Sequence, residues 1–272
     1  MRFLTIQIKS NRLTLNSNTL HMKTILITGA TSGIGRSTAY SLGKEGYRLI
    51  LCGRRKERLD SISDELKSKT EVITLCFDIR NRDLVWKSIE SLPKEWNTID
   101  ILINNAGNAH GFGPIDEGET DDWDAMMDIN VKGLLYVSRA VLPGMVKRKD
   151  GHIINIGSIS GKEVYGGGSV YCASKFAVDA ITQGMRIDLI KHNIKVSEIN
   201  PGLVNTEFSL VRFKGDKQRA ENVYTGMQPL HEDDIADIIL FILSRPPHVN
   251  IAELLVLPIA QAGATLVHRN KP

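Results

Sequence analysis

Cysteine is scarce in this 272-residue chain, and Cys52, Cys76 and Cys172 stand isolated, in no paired or metal-ligand spacing. That excludes a disulfide scaffold and a cysteine-built zinc site. No metal is expected, and the pattern suits a reducing compartment, so the expected location is cytoplasmic. Long apolar runs are missing too. None approaches the roughly 20 residues that a membrane-spanning helix needs, so a membrane is not an expected partner. Charge of one sign is also lacking: the net charge is only +3, and the basic residues are dispersed among acidic ones. Without a dense basic stripe, nucleic acid is not an expected partner either. Internal repeats and low-complexity linkers are absent from the sequence, so residues 23–272 read as one domain. Residues 1–22 contain no acidic residue and no unbroken apolar stretch of the secretory type. They are expected to be a poorly ordered extension, with the working protein beginning near Met22-Lys23.

What is present is a regular alternation. Hydrophobic residues at 42% and charged residues at 24% permit a sizeable core. Strands are expected at residues 24–28, 48–52, 71–77, 99–104, 152–157, 195–199 and 253–257. Helical patterns fall at 33–45, 56–69, 82–91, 170–192 and 233–243, with a long helical stretch at 121–147 expected to break at Pro143-Gly144. Repeated βα units with short apolar strands predict an α/β protein whose parallel sheet is covered on both faces. Right-handed crossovers then give a doubly wound, seven-stranded sheet of the Rossmann kind. Residues 201–231 show no clear regular pattern and follow the sixth strand. They are the expected substrate loop, since ligands bind beside the carboxyl ends of the strands in such sheets.

Thr28-Gly29-Ala30-Thr31-Ser32-Gly33-Ile34-Gly35 joins the first strand to the first helix. Glycines at 29, 33 and 35 allow a tight turn and let backbone approach a pyrophosphate, while the helix N-terminus offers free N–H groups. Gly29, Thr31, Ser32, Gly33, Ile34 and Gly35 are therefore candidate dinucleotide contacts. The second strand ends in Cys52-Gly53-Arg54-Arg55, with no carboxylate before Glu57. An acid there would accept from ribose hydroxyls; Arg54 and Arg55 instead suit a 2′-phosphate, which predicts NADP. Asp78 and Ile79 are placed to meet the adenine ring, and Asn105, Ala106 and Gly107 to pass close to the ribose. Asn104 could contact ligand or stabilise the turn. His110 could line a substrate pocket or be a solvated loop residue.

Tyr171 and Lys175 stand four residues apart, thirteen residues after Ser158. Positions i and i+4 share one helix face. An ammonium beside a phenol is expected to lower the phenol pKa from about 10, so that Tyr171 could give or take a proton near neutral pH. With a dinucleotide turn, this is equipment for reducing a carbonyl or oxidising an alcohol.

These motifs resemble the short-chain dehydrogenase/reductases. The glycine turn, Asn104-Asn105-Ala106-Gly107, Asn130-Val131-Lys132-Gly133, Ser158, Tyr171-Cys172-Ala173-Ser174-Lys175 and Pro201-Gly202-Leu203-Val204-Asn205-Thr206 occur in that family's order. The resemblance covers residues 23–260. It implies a tetrad of Asn130, Ser158, Tyr171 and Lys175. Tyr171 would be the general acid or base. Ser158 would hydrogen-bond the substrate oxygen. Lys175 would tune Tyr171 and bind the nicotinamide ribose, so that Tyr171 and Lys175 also touch the cofactor. Asn130 would hold a water for proton relay. Pro201, Gly202, Val204 and Thr206 would cradle the nicotinamide end, and a homotetramer is implied by the same analogy. Phe208-Ser209-Leu210-Val211-Arg212-Phe213-Lys214-Gly215-Asp216 and Pro247-His248-Val249-Asn250-Ile251 further resemble the NADP-dependent 3-hydroxy acid dehydrogenases. That branch acts on L-allo-threonine, serine and related 3-hydroxy acids such as 3-hydroxypropionate, and reduces malonic semialdehyde. The carboxylate of such a small-molecule substrate needs a cation, for which Arg212 is the first candidate and Lys214 the second. Two other readings stay open at this point: a 3-oxoacyl or broad-range carbonyl reductase, and a catalytically silent NADP-binding sensor.

Overall fold

The computed structural model describes residues 22–270. Nearly all of the expected N-terminal extension lies outside the described residues. Seven parallel strands form one sheet in the order β3-β2-β1-β4-β5-β6-β7. They are β1 (Thr24–Thr28), β2 (Arg48–Gly53), β3 (Val72–Cys76), β4 (Ile101–Asn104), β5 (Gly151–Ile156), β6 (Ile194–Pro201) and β7 (Glu253–Val256). The order reverses at β1, which pairs with both β2 and β4. That reversal opens a crevice at the carboxyl ends of these strands.

Strand residues alternate between the two faces of the sheet, and each face carries its own core. Ile25 and Ile27 of β1 join Leu49, Leu51 and Ile103 on one face. Leu26 joins Ile50, Leu102, Ile153 and Val196 on the other. The first face is covered by α1 (Gly33–Lys44), α2 (Lys56–Leu66) and α9 (Glu232–Leu243). The second is covered by α3 (Arg82–Glu90), α5 (Leu134–Arg148) and α6 (Ser169–Leu189). Each fully buried aliphatic side chain removes enough apolar surface to contribute about 1.5–3 kcal/mol. Because strands covered on both faces have no wet side, β1 and β2 read as continuous apolar runs.

The stretch expected to break at Pro143 does not break there. It consists of α4 (Thr120–Met127), a π-helical segment at Asp128–Gly133, and α5, with Pro143 inside α5. Pro143 and Arg139, whose carbonyl loses its intrahelical partner, are both exposed, so water can replace the missing bond. The irregularity falls instead at the π segment. There a Cβ on Gly133 would lie 2.6 Å from Ile79, so the helix needs glycine to approach the crevice. The 201–231 loop also has more structure than its sequence suggests. It contains α7 (Phe208–Arg212) and α8 (Lys217–Asn222), separated by a turn in which Lys214 (φ 53°) and Gly215 (φ 94°) are left-handed.

Candidate active site

A cavity of about 780 Å³ occupies the crevice. Every expected cofactor residue from Gly29 to Thr206 lines it except Gly35, as do Ser158 and Arg212. The glycine turn is built for close approach. Gly29 takes φ +66°, and a Cβ there would stand 2.9 Å from Ala106 Cα. Gly35 packs inward, where a Cβ would collide with the Gly29 carbonyl. Ser32 leaves the N-terminus of α1 without a side-chain cap, and no acid occupies its first turn. The positive end of the helix therefore stays open toward the cavity, which fits a pyrophosphate.

The end of the cavity beside β2, where the sequence places the adenosine, carries a cluster of exposed arginines. Arg55 donates to Ser32 Oγ at 2.7 Å, to Thr31 Oγ1 at 2.9 Å and to Glu207 Oε2 at 2.8 Å. Arg58 reaches the other Glu207 oxygen at 2.7 Å. Arg54 stands 3.5 Å from Asp78, which Arg80 grips at 2.7 Å. Burial pushes the Asp78 carboxyl upward, but the hydrogen bonds from Arg80 outweigh it and hold the group below the ordinary range. Three guanidiniums at residues 54, 55 and 58, with no carboxylate closing β2, fit a 2′-phosphate. Arg58, Arg80 and Glu207 escape a reading by motif. Arg58 was visible as a third arginine near the end of β2; the other two come from distant loops.

Asparagines brace the next layer. Asn104 is buried and donates to Ser138 of α5 and Asn155 of β5, each at 2.9 Å, so it ties β4 to its neighbours and not the turn to itself. Asn105 donates to the Thr28 carbonyl at 3.0 Å and so fixes the turn. Asn130, in the π segment, accepts from Asn108 N at 2.9 Å, donates to Asn108 O at 2.8 Å and donates to Ser174 Oγ at 2.9 Å. Both of its amide donors are thus spent on a clamp.

At the closed end, Ser158, Tyr171 and Lys175 are all buried. Ser158 leaves β5 with its N–H donating to Asn200 Oδ1 at 2.9 Å, and its hydroxyl accepts from Ser160 N at 3.1 Å. Lys175 Nζ donates to the Ile156 carbonyl at 2.9 Å. The Tyr171 phenol stands above, not below, its ordinary range. Burial pushes the phenol above its ordinary range, and the Ser158 hydroxyl beside it and the Arg212 guanidinium oppose that push. Lys175 is itself pulled down to about 8 by burial. In a dry pocket, desolvation outweighs the shared helix face.

Arg212 and Lys214 separate cleanly. Arg212 lies in a box of aromatic rings, its guanidinium carbon 4.8 Å from the Phe112 centroid, 5.4 Å from Tyr165 and 5.6 Å from Tyr171. Its Nη1 donates to Tyr165 Oη at 2.9 Å. Its Nη2 is buried with no partner among the described residues. Lys214 does not line the main cavity. The left-handed turn swings it to Asp122 at 2.9 Å, where it stands exposed on the wall of an adjoining pocket that Tyr171 and Arg212 also line. His110 lines the cavity, and burial holds its pKa below the usual value. Phe112 and Tyr165 were missed in the sequence, although Tyr165 stands six residues before Tyr171. Among the described residues, no group of His, Cys, Asp or Glu is arranged to hold a metal, and no helix is long and apolar enough to cross a membrane.

Similarity to known proteins agrees with this geometry. A family model described as short chain dehydrogenase matches residues 23–216. An NADP-dependent 3-hydroxy acid dehydrogenase of Schizosaccharomyces pombe is 48% identical over 252 residues, covering 92% of this chain and 97% of that protein. The protein of that name from Escherichia coli K12 is 45% identical over 247 residues, covering 90% and 99%. A solved closed form of serine dehydrogenase complexed with NADP+ superposes with a TM-score of 0.85 at 44% identity, covering 91% of this chain and all of that one. With its glycine turn, its Ser158, Tyr171 and Lys175 cluster and relatives of this similarity along nearly its whole described length, the chain belongs to the short-chain dehydrogenase family.

Proposed function

We propose that this protein is an NADP-dependent dehydrogenase. It moves a hydride between the nicotinamide and the C3 carbon of small 3-hydroxy acids: L-allo-threonine, serine, and 3-hydroxypropionate with its partner malonic semialdehyde. The relatives named above carry NADP and this substrate class in their names. The observation that supports the substrate reading most is Arg212, which lines the cavity that Tyr171 also lines and whose Nη2 is a buried donor without a partner among the described residues. An unpaired buried donor is costly, and a substrate carboxylate removes that cost. A reductase for neutral carbonyls would give this guanidinium nothing to bind.

The bound dinucleotide supplies or takes the hydride. The rest falls to the chain's own groups. Arg212 binds the carboxylate and so sets C3 at a fixed distance from Tyr171. Ser158 donates to the reacting oxygen and stabilises its developing negative charge. The raised phenol keeps its proton at neutral pH, which suits Tyr171 as the acid when a carbonyl is reduced. For oxidation Tyr171 must shed that proton. Arg212 and Ser158 favour the phenolate, and the cationic form of Lys175, which lines the same cavity, adds to this. The clamp of Asn130 on Asn108 holds the wall beside Lys175 in place. Oxidation of a 2-amino-3-hydroxy acid gives a β-keto acid that loses carbon dioxide without further catalysis.

Replacing Arg212 with Ala should raise KM for serine and L-allo-threonine far more than for neutral alcohols. Equal losses for both would remove it from the carboxylate role. Turnover of these acids with NADP+ and NAD+ tests the cofactor assignment directly. We also propose a cytoplasmic homotetramer. Leu135, Phe176, Ile187 and Ile190 are exposed apolar residues on or beside α5 and α6, which supports pairing of these helices. Sedimentation at micromolar concentration should give four times the chain mass.

A further inference from the structure

Behind the closed end of the site lies a cluster of carboxyl groups that the reaction described above does not use. Glu198, on β6, has no exposed surface, and neither of its oxygens meets a donor among the described residues. The carboxyl of Asp179 on α6 is the neighbouring acid that acts on it. Lys162 Nζ ties Asp179 Oδ1 to Glu253 Oε1 of β7, each at 2.8 Å. Asp179 and Glu253 thus share one ammonium. Glu198, fully buried beside Asp179, is the carboxyl left without a donor, and an anion there is unpaired. The arrangement is satisfied when Glu198 keeps its proton and donates it to Asp179. Burial, reinforced by Asp179, pushes Glu198 up to about 8 accordingly, while Lys162 works against the push.

The cluster touches the reaction machinery through one residue of backbone. A Cβ on Gly157 would collide with both Glu198 Oε1 and Asn200 Oδ1. On one side of Gly157 is the Ile156 carbonyl that receives Lys175 at 2.9 Å. On the other is Ser158, whose N–H donates to Asn200 Oδ1 at 2.9 Å. Asn200 Nδ2 in turn reaches Glu253 Oε1 at 3.3 Å, so the network that holds Glu198 also holds the Ser158 backbone. Glu198 is the charged group that acts on Lys175, and its anion favours the ammonium.

We propose that Glu198 is a positioning residue for the reaction: an acid buried behind Gly157 that, on losing its proton, keeps the ammonium on Lys175 and so extends activity to higher pH. The inference rests on the reading of Lys175 as a group that serves Tyr171. Glu198 ionises as the solution becomes alkaline, in the range where an isolated buried lysine would give up its proton. The two groups therefore hold one charge pair across Gly157 where neither would stay charged alone.

The test is the pH profile of kcat/KM for L-allo-threonine oxidation in the full-length protein with saturating NADP+. Glu198→Gln keeps the shape of the side chain and removes the charge. Its basic limb should fall to lower pH by roughly one unit, while KM for NADP+ at pH 7 stays within about twofold. Glu198→Asp should restore part of the shift. Asp179→Asn removes the neighbouring charge and supplies a donor to ionised Glu198, so its limb should move the opposite way, to higher pH. A merely structural role would change rate or melting temperature without moving the limbs in opposite directions. A Glu198→Gln profile that superimposes on the wild type overturns the inference. If that variant does not fold, an Asp179→Asn limb that is unmoved or lowered overturns it equally. Lys175→Met is assayed alongside. If it is inactive while Glu198→Gln superimposes, the inference alone fails; if it keeps wild-type turnover, the underlying reading of Lys175 fails first.

Discussion

The two ends of the main cavity use charge in opposite ways. At the adenosine end, Arg54, Arg55 and Arg58 are 53%, 40% and 47% exposed and are paired with exposed or half-exposed carboxylates. Such pairs are screened by water and salt, and each contributes little. At the closed end, Tyr171, Lys175 and Glu198 have at most a few per cent of their surface exposed, and all three titrate far from their ordinary values. The wet end selects a ligand by number of charges and tolerates loss. The dry end arranges few charges, and each one decides the protonation state of its neighbours.

That contrast can be broken or sharpened by graded substitution. The largest effect is expected at Ser158. Ser158→Ala should lower kcat by about 10²–10³ with little change in NADPH affinity, measured by steady-state kinetics and by fluorescence titration. A tenfold loss or less would mean that the dry end does not depend on this donor. Arg212→Ala comes next, raising KM for serine by about 10- to 100-fold, the range expected for losing a charge-assisted hydrogen-bonded pair. His152 sharpens the contrast through stability. Burial, with help from Lys195 and Lys23, pulls this histidine down to about 3, and its ring is hydrogen-bonded to Ser197 at 2.8 Å. The folded state therefore binds fewer protons than the unfolded one between pH 6.5 and 3. Stability is complete above that window and falls as pH drops through it, by up to about 1.4 kcal/mol per pH unit. His152→Gln should flatten the fall in Tm between pH 7 and 5; an unchanged slope would show that other groups carry it. The smallest effect belongs to the wet end. Arg55→Ala should weaken 2′,5′-ADP binding by about three- to tenfold and leave 5′-AMP unaffected, with the loss shrinking as salt rises.

How much of this was legible in the sequence follows the same division between local and distant. The strands were readable because strands buried on both faces are unbroken apolar runs, and the glycine turn because Gly29, Gly33 and Gly35 are needed by local backbone geometry. The break at Pro143 was misread because its cost depends on which side of α5 faces water, which the sequence does not state. Arg212 and Lys214 were ranked only by the fork of the guanidinium, yet one left-handed residue sends them to different places. The expected low pKa of Tyr171 is not seen because helix spacing gives proximity and says nothing of desolvation. The Glu198 cluster was not legible at all. It joins β6, α6, β7 and the turn after β5, and no local pattern links residues so far apart in sequence.

The central claim is that Tyr171 carries the proton in the dry end of the cavity. It is tested most directly by single-turnover oxidation of L-allo-threonine in Tyr171→Phe, with NADPH binding measured on the same sample. The account predicts a rate lower by about 10²–10⁴ at unchanged NADPH affinity. A variant that binds NADPH as the wild type does and transfers hydride at the wild-type rate would contradict it.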